Sequence, residues 1–128
     1  MTRPATTPPV PNPRQALGAY GEAAAARHLV AMGMVLLDRN WRCELGEVDL
    51  VLRDGRTLVV CEVKTRSSTR FGSPLEAVTE RKAARLRRLA ARWLAEHGIR
   101  PDDVRIDLVG VLVSGAGEPE LDHVRGVG

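Results

Sequence analysis

Residues 47–65, EVDLVLRDGRTLVVCEVKT, hold two apolar, β-branched runs joined at Asp54-Gly55. An Asp-Gly step between such runs is a strong signal for a tight hairpin. The pattern predicts strands over 47–53 and 57–65. Side chains alternate along a strand, so Glu62 and Lys64 share one face and Cys61 and Val63 the other. Glu47 and Asp49 likewise share a face, with Val48, Leu50 and Leu52 opposite. With Asp54-Gly55 as a two-residue turn, Arg53 pairs with Arg56, Asp49 with Val60 and Glu47 with Glu62. Glu47, Asp49, Glu62 and Lys64 then lie on a single face, unless a bulge adds a residue.

Around this hairpin the chain reads as further elements. Residues 1–13 carry five of the eight prolines and read as a disordered tail, leaving 14–128 as one domain. An alanine-rich helix is predicted over 14–32, stopped by Gly33, with Glu22, Ala25, Leu29 and Met32 on one line. Gly18 and Gly21 would let another backbone approach it. A strand is predicted over 35–43, before a turn at Leu45-Gly46. After the third strand, Ser73-Pro74-Leu75-Glu76 has the chemistry of a helix start. A helix over 79–97 closes at Gly98, and strands follow over 104–113 and, more weakly, 121–125. A long helix between the third and fourth strands suits a parallel, right-handed crossover. The fold class is α/β with a mixed sheet, in the order αβββαβ(β).

Composition narrows the function. Net charge is +3, which permits an acidic partner, but aromatics are only 3%, few for gripping single strands by stacking. Cys43 and Cys61 form no Cys-x-x-Cys pair, and the histidines have no zinc spacing. No apolar run is long enough to span a bilayer, so no membrane partner and a cytoplasmic location are the expectations. Of nineteen Lys and Arg residues, only Lys64 and Lys82 are lysines. Lysine is a compact charge whose pKa can be shifted, unlike the fixed arginine fork.

Three carboxylates in one patch repel one another, and a divalent cation relieves the conflict. Mg²⁺, or Mn²⁺ in its place, prefers oxygen ligands and takes one or two carboxylates with waters and a substrate phosphate. Asp49 and Glu62 are the natural ligands, with the Val63 carbonyl as a further donor and Glu47 nearby. Lys64 would orient or deprotonate the attacking water, or stabilise charge on the phosphate. Lys82 lies on the inward line of its helix with Leu86, Leu89, Ala90 and Trp93. Arg81, Arg85, Arg88 and Arg92 form another stripe, and Arg66 and Arg70 follow the third strand; together they could track a phosphate backbone. Each feature has a plainer reading: a solvated strand end for Glu-x-Lys, a solvated helix face for the arginines, a salt bridge for Glu22, and a structural ion pair with Arg105 for Asp107, which could otherwise support the site. Cys61 and His28 read as fillers.

GEVDLVLRDGRTLVVCEVKTR resembles the metal-dependent nucleases of the restriction-endonuclease-like superfamily, whose signature is an Asp, a spacer, then Asp or Glu-x-Lys. Within it the chain is similar to the YraN-like bacterial proteins. The matches are Gly18 with Glu22, Gly46 to Asp49, Glu62 to Arg66, Phe71-Gly72, Lys82, and Arg105-Ile106-Asp107. The resemblance implies Asp49 and Glu62 as Mg²⁺ ligands, Lys64 as the catalytic lysine, and a site at the forked edge of the sheet. Archaeal Holliday-junction resolvases are similar too, and use an acidic residue of the first helix, a role that Glu22 would take here. By analogy with those symmetric dimers, a homodimer is expected. The expected activity is Mg²⁺-dependent hydrolysis of phosphodiesters in DNA, branched DNA included. The alternative is a nucleic-acid-binding module of the same fold without turnover.

Overall fold

The computed structural model describes residues 12–67, 79–115 and 117–127. Helix α1 spans Pro13–Ala31 and is followed by β1 (Val35–Cys43), β2 (Gly46–Asp54) and β3 (Thr57–Arg66). Helix α2 (Glu80–His97), β4 (Asp103–Leu112) and β5 (Glu120–Val124) complete the chain. The five strands form one sheet in the order β1-β2-β3-β4-β5. Only β3 and β4 pair in parallel; the other neighbours are antiparallel. The mixed α/β architecture is therefore as predicted, with α2 carrying the chain between the two parallel strands.

The start of α1 lies further upstream than composition suggested. Asn12 and Pro13, assigned to the tail, are its N-cap and first residue. The Asn12 carboxamide oxygen accepts the Gln15 N–H at 2.8 Å, and Gln15 reaches back to the Asn12 N–H. Proline suits this position because its missing N–H has no helical partner to lose. The tail at 1–11, the loop residues Arg70 and Phe71-Gly72, and the expected helix start at Ser73 to Glu76 lie outside the described residues.

Each face of the sheet is covered by one helix. Ala25, Ala26 and Leu29 of α1 pack on Leu50, Leu52, Val59, Cys61, Val63, Val109 and Val111. Leu86, Leu89, Ala90 and Trp93 of α2 pack on Val48, Val51, Leu58, Val60 and Ile106. Burying a large apolar side chain stabilises by about 1.5–3 kcal/mol. The inward line of α2 is as predicted. On α1, Met32 is exposed and its place in the core is taken by Met34 after the helix ends. Of the two glycines on α1, only Gly21 meets a neighbour: a Cβ there would overlap the Thr65 side chain, while Gly18 has open space.

The hairpin register differs from expectation by two residues. Asp54 pairs with Thr57, and the turn residues are Gly55 and Arg56. Gly55 has φ +62° at the first central position, where a type II′ turn favours glycine. A shift of two preserves the faces. Extending the observed register beyond Leu50–Cys61 sets Asp49 opposite Glu62 rather than Val60.

A second departure occurs across the ribbon. Val48 and Val51, three residues apart, both pack with α2, while Leu50 and Leu52 pack with α1. The alternation expected for Val48, Leu50 and Leu52 thus slips by one residue at Asp49. Directly across, between the pairs Arg39–Leu50 and Trp41–Val48, Asn40 takes the left-handed conformation, φ +51°. Asparagine tolerates that region better than other side-chain-bearing residues. A further irregularity between Leu36 and Asp38 turns Asp38 toward α2, where its carboxylate accepts the Trp93 indole N–H at 2.9 Å.

Candidate active site: a carboxylate–lysine cluster at the end of β3

Glu62 and Lys64 lie on the face of β3 that carries Leu58 and Val60, facing α2. Lys82 arrives from the first turn of that helix, whose cap is Thr79. The Lys64 and Lys82 ammonium groups stand 3.7 and 3.5 Å from the same Glu62 oxygen, Oε1. The other oxygen, Oε2, is buried and has no hydrogen-bond partner. Glu62 is largely enclosed, its side chain 13% exposed. A buried carboxylate oxygen left bare is unfavourable, by about 1–3 kcal/mol or more, unless a cation or donor from outside completes it.

Asp49 occupies the slip point of β2, where it feels both layers. Its Oδ2 accepts the Val63 N–H at 2.8 Å, joining the two strands just beyond their last ladder pair. Burial raises the Asp49 pKa to about 6; the Val63 hydrogen bond opposes this, and Glu22, Glu62 and Glu47 add to it. Glu22 comes from the α1 layer. Its pKa is raised by burial, opposed by a hydrogen bond from the Asn40 side chain, with Glu47 raising it and Arg39 lowering it. Glu47 pairs with Arg42 at 3.4 Å. Lys82 has its pKa lowered by partial burial and by the adjacent Lys64, against the pull of Glu62.

The six residues Glu22, Glu47, Asp49, Glu62, Lys64 and Lys82 therefore form one electrostatic cluster. The four charges of the hairpin do not share a single flat face; the slip at Asp49 gathers them around the end of β2 and β3. Sequence periodicity gave no reason to include Asn40, which both shapes the slip and contacts Glu22. The only prior signal was an asparagine, a poor strand former, in the middle of the strand VLLDRNWRC.

Asp107 lies elsewhere. It shares the α1 side of β4 with Val109 and Val111, whereas Glu62 faces α2. It is fully buried and bound to Arg105 Nε at 2.8 Å, His123 Nε2 at 2.8 Å and the Gly126 N–H at 3.1 Å. The plainer reading, a structural ion pair, accounts for it. Cys61 is buried beside it, and burial pushes its thiol pKa up, consistent with a core filler.

Among the arginines, Arg81, Arg85 and Arg88 line a shallow groove of about 400 Å³ with Thr79 and Lys82. Arg92, expected on the same stripe, is instead held by Glu44 at 2.7 Å and Glu96 at 3.3 Å. Arg66 ends β3, two residues beyond Lys64.

Among the described residues, no three of His, Cys, Asp and Glu gather closely enough to hold a metal ion by themselves. A hard divalent cation does not need three, since it keeps waters and takes substrate oxygens. The bare Glu62 oxygen and the electrostatically crowded Asp49 are the residues that fit such an ion.

The fold and cluster define a mixed α/β domain with a carboxylate–lysine site at the end of a parallel strand. The chain belongs to the uncharacterised protein family UPF0102, whose model matches residues 21–111. It is similar to a UPF0102 protein of Nocardioides sp. (strain ATCC BAA-499 / JS614), 67% identical over 115 residues, covering 90% of this chain and 93% of the relative. A relative from Frankia alni is 62% identical over 113 residues, covering 88% and 94%. One from Streptomyces coelicolor is 58% identical over 118 residues, covering 91% of each. The matched region contains every member of the cluster, from Glu22 to Lys82.

Proposed function

We propose that this protein is a Mg²⁺-dependent endonuclease, with Mn²⁺ as an alternative ion, that hydrolyses phosphodiester bonds in DNA, branched DNA among its candidate substrates. On this reading it is a member of the restriction-endonuclease-like superfamily. The observation that carries it is Glu62: one carboxylate oxygen between two lysines, the other buried and bare. Asp49 and Glu62 would hold the ion, with the Val63 backbone adjacent. Bound there, it would polarise the phosphate and supply a nucleophilic water at neutral pH.

The chain's own residues account for the rest. The Glu62 carboxylate fixes both ammonium groups near where the phosphate would lie. Lys64 and Lys82 then stabilise the negative charge that grows on the phosphoryl oxygens as water attacks phosphorus and the P–O bond breaks. Lys82, its pKa depressed, is the better placed to exchange a proton at Nζ. Glu22, hydrogen-bonded by Asn40, adds negative charge on the Asp49 side of the cluster, where a cation would be drawn.

The test is cleavage of linear, nicked and four-way-junction DNA with Mg²⁺ or Mn²⁺. Cutting that disappears in Glu62→Ala supports the reading; no cutting of any substrate, or equal cutting by the variant, refutes it. The groove of Arg81, Arg85 and Arg88 favours the second reading, a binding module without turnover, because it needs no metal. Salt-sensitive DNA binding that persists in EDTA and in Glu62→Ala, with no cleavage, would establish that instead.

A further inference from the structure

Two buried side-chain atoms among the described residues lack any hydrogen-bond partner: Glu62 Oε2 and Arg66 Nε. They belong to the same strand, four residues apart, with Lys64 between them. Residue parity puts Glu62, Lys64 and Arg66 on the α2 face, since Thr65 turns the other way to meet Gly21 of α1. The Arg66 backbone is fixed. Its carbonyl accepts the Val113 N–H at 2.8 Å, and it pairs with Leu112 at the end of the parallel ladder. Opposite Lys64 stands Gly110, which puts no side chain into the space between.

We propose that Arg66 binds the phosphate next to the one held over Glu62 and Lys64, so that the substrate is an extended nucleic-acid strand engaged through at least two successive phosphates along β3. This rests on the phosphodiester reading of the Glu62 cluster and names the substrate's form. Alternate strand residues are about 6.4–6.8 Å apart, so Arg66 stands one such step beyond Lys64. That step is comparable to the separation of neighbouring phosphates in an extended strand. A guanidinium offers five N–H donors in a fixed fork that matches a phosphate bidentately. A buried Nε with no internal acceptor is a donor left for an acceptor from outside. Lys82 also lines the groove of Arg81, Arg85 and Arg88, which adds basic surface beside the cluster for the polyanion.

The experiment compares ligands that differ by one phosphate and contain no phosphodiester to cut. Thymidine 3′,5′-bisphosphate carries two successive phosphates; thymidine 3′-monophosphate and 5′-monophosphate carry one each. Their binding is measured by calorimetry in Mg²⁺ to wild-type protein, Arg66→Ala, Arg66→Lys and Arg27→Ala, the last an exposed arginine of α1. The bisphosphate is expected to bind wild type roughly tenfold or more tightly than either monophosphate, the usual effect of a hydrogen bond to a charged group. Arg66→Ala should lose that advantage while binding its better monophosphate as wild type does. Arg66→Lys should keep part of it, and Arg27→Ala all of it. A bisphosphate advantage that is absent from wild type, or unchanged in Arg66→Ala, overturns the proposal, whether or not DNA is cut. The expected pattern in a protein that cuts no DNA upholds it while removing the endonuclease reading.

Discussion

Replacing Asp49 with asparagine should make the protein more stable at neutral pH while disabling the site. The Asp49 carboxyl titrates near 6 in the folded chain against 3.8 unfolded, chiefly because burial disfavours its charge. A carboxyl pKa raised by folding stabilises fully below the unfolded value, and that contribution is lost as pH rises through the folded value. The window is therefore about pH 4 to 6, and the loss is about 3 kcal/mol, from a shift of about two units at 1.36 kcal/mol each. The carboxamide of Asp49→Asn cannot ionise and keeps an oxygen for the Val63 N–H, so the variant escapes the loss. Urea unfolding of both proteins in EDTA, at intervals from pH 4 to pH 8, reads it directly. The stability difference should move in favour of the variant by about 3 kcal/mol across that range, most of it between pH 4 and 6. At pH 8 this corresponds to a Tm gap on the order of 10 °C. A difference that is flat with pH, or that moves toward wild type as pH rises, would refute the electrostatic account of the cluster.

Other perturbations follow from the same geometry. Glu62→Gln should leave Lys64 and Lys82 without their shared anion, abolishing DNA cleavage while far-ultraviolet circular dichroism stays that of wild type. Lys82→Met should reduce turnover more than DNA affinity, checked by single-turnover kinetics beside equilibrium binding. Gly21→Ala, whose new Cβ overlaps the Thr65 side chain, should destabilise by about 1–3 kcal/mol in urea unfolding. Asp107→Ala should destabilise by about 1–3 kcal/mol by leaving His123 and the Gly126 N–H without their buried acceptor, while Arg105 keeps Asp54 at 3.1 Å. Burial alone would raise the Asp107 pKa, but Arg105, His123 and the Gly126 N–H outweigh it and hold it down. Its stabilisation is thus present above the unfolded carboxylate pKa and lost as pH falls through the folded one, opposite in sign to Asp49.

The sequence exposed what depends on local periodicity and turn chemistry. Glu62, Lys64 and Lys82 could be placed on converging surfaces because a strand alternates strictly and α2 keeps a regular apolar line. What escaped is what two strands decide jointly. Asp54-Gly55 signalled a hairpin, but whether glycine takes the first or second turn position depends on the twist of both arms. The slip at Asp49 arises from Asn40 across the ribbon, a nonlocal partner with no periodic signature. Arg92 followed the helical stripe faithfully, yet Glu44, in the β1–β2 turn, holds it by an ion pair. The ion network of Asp107 likewise depends on His123 and Gly126, which the fold brings back from the end of the chain.

In the proposed site Asp49 and Glu62 together hold a divalent cation. Isothermal titration of Mn²⁺ into the protein at pH 7.5 tests this binding, with Asp49→Asn and Glu62→Gln titrated alongside. One ion per chain in wild type and loss of the binding heat in both variants are the expected results. No binding heat in wild type, or equal heat in all three proteins, would contradict it.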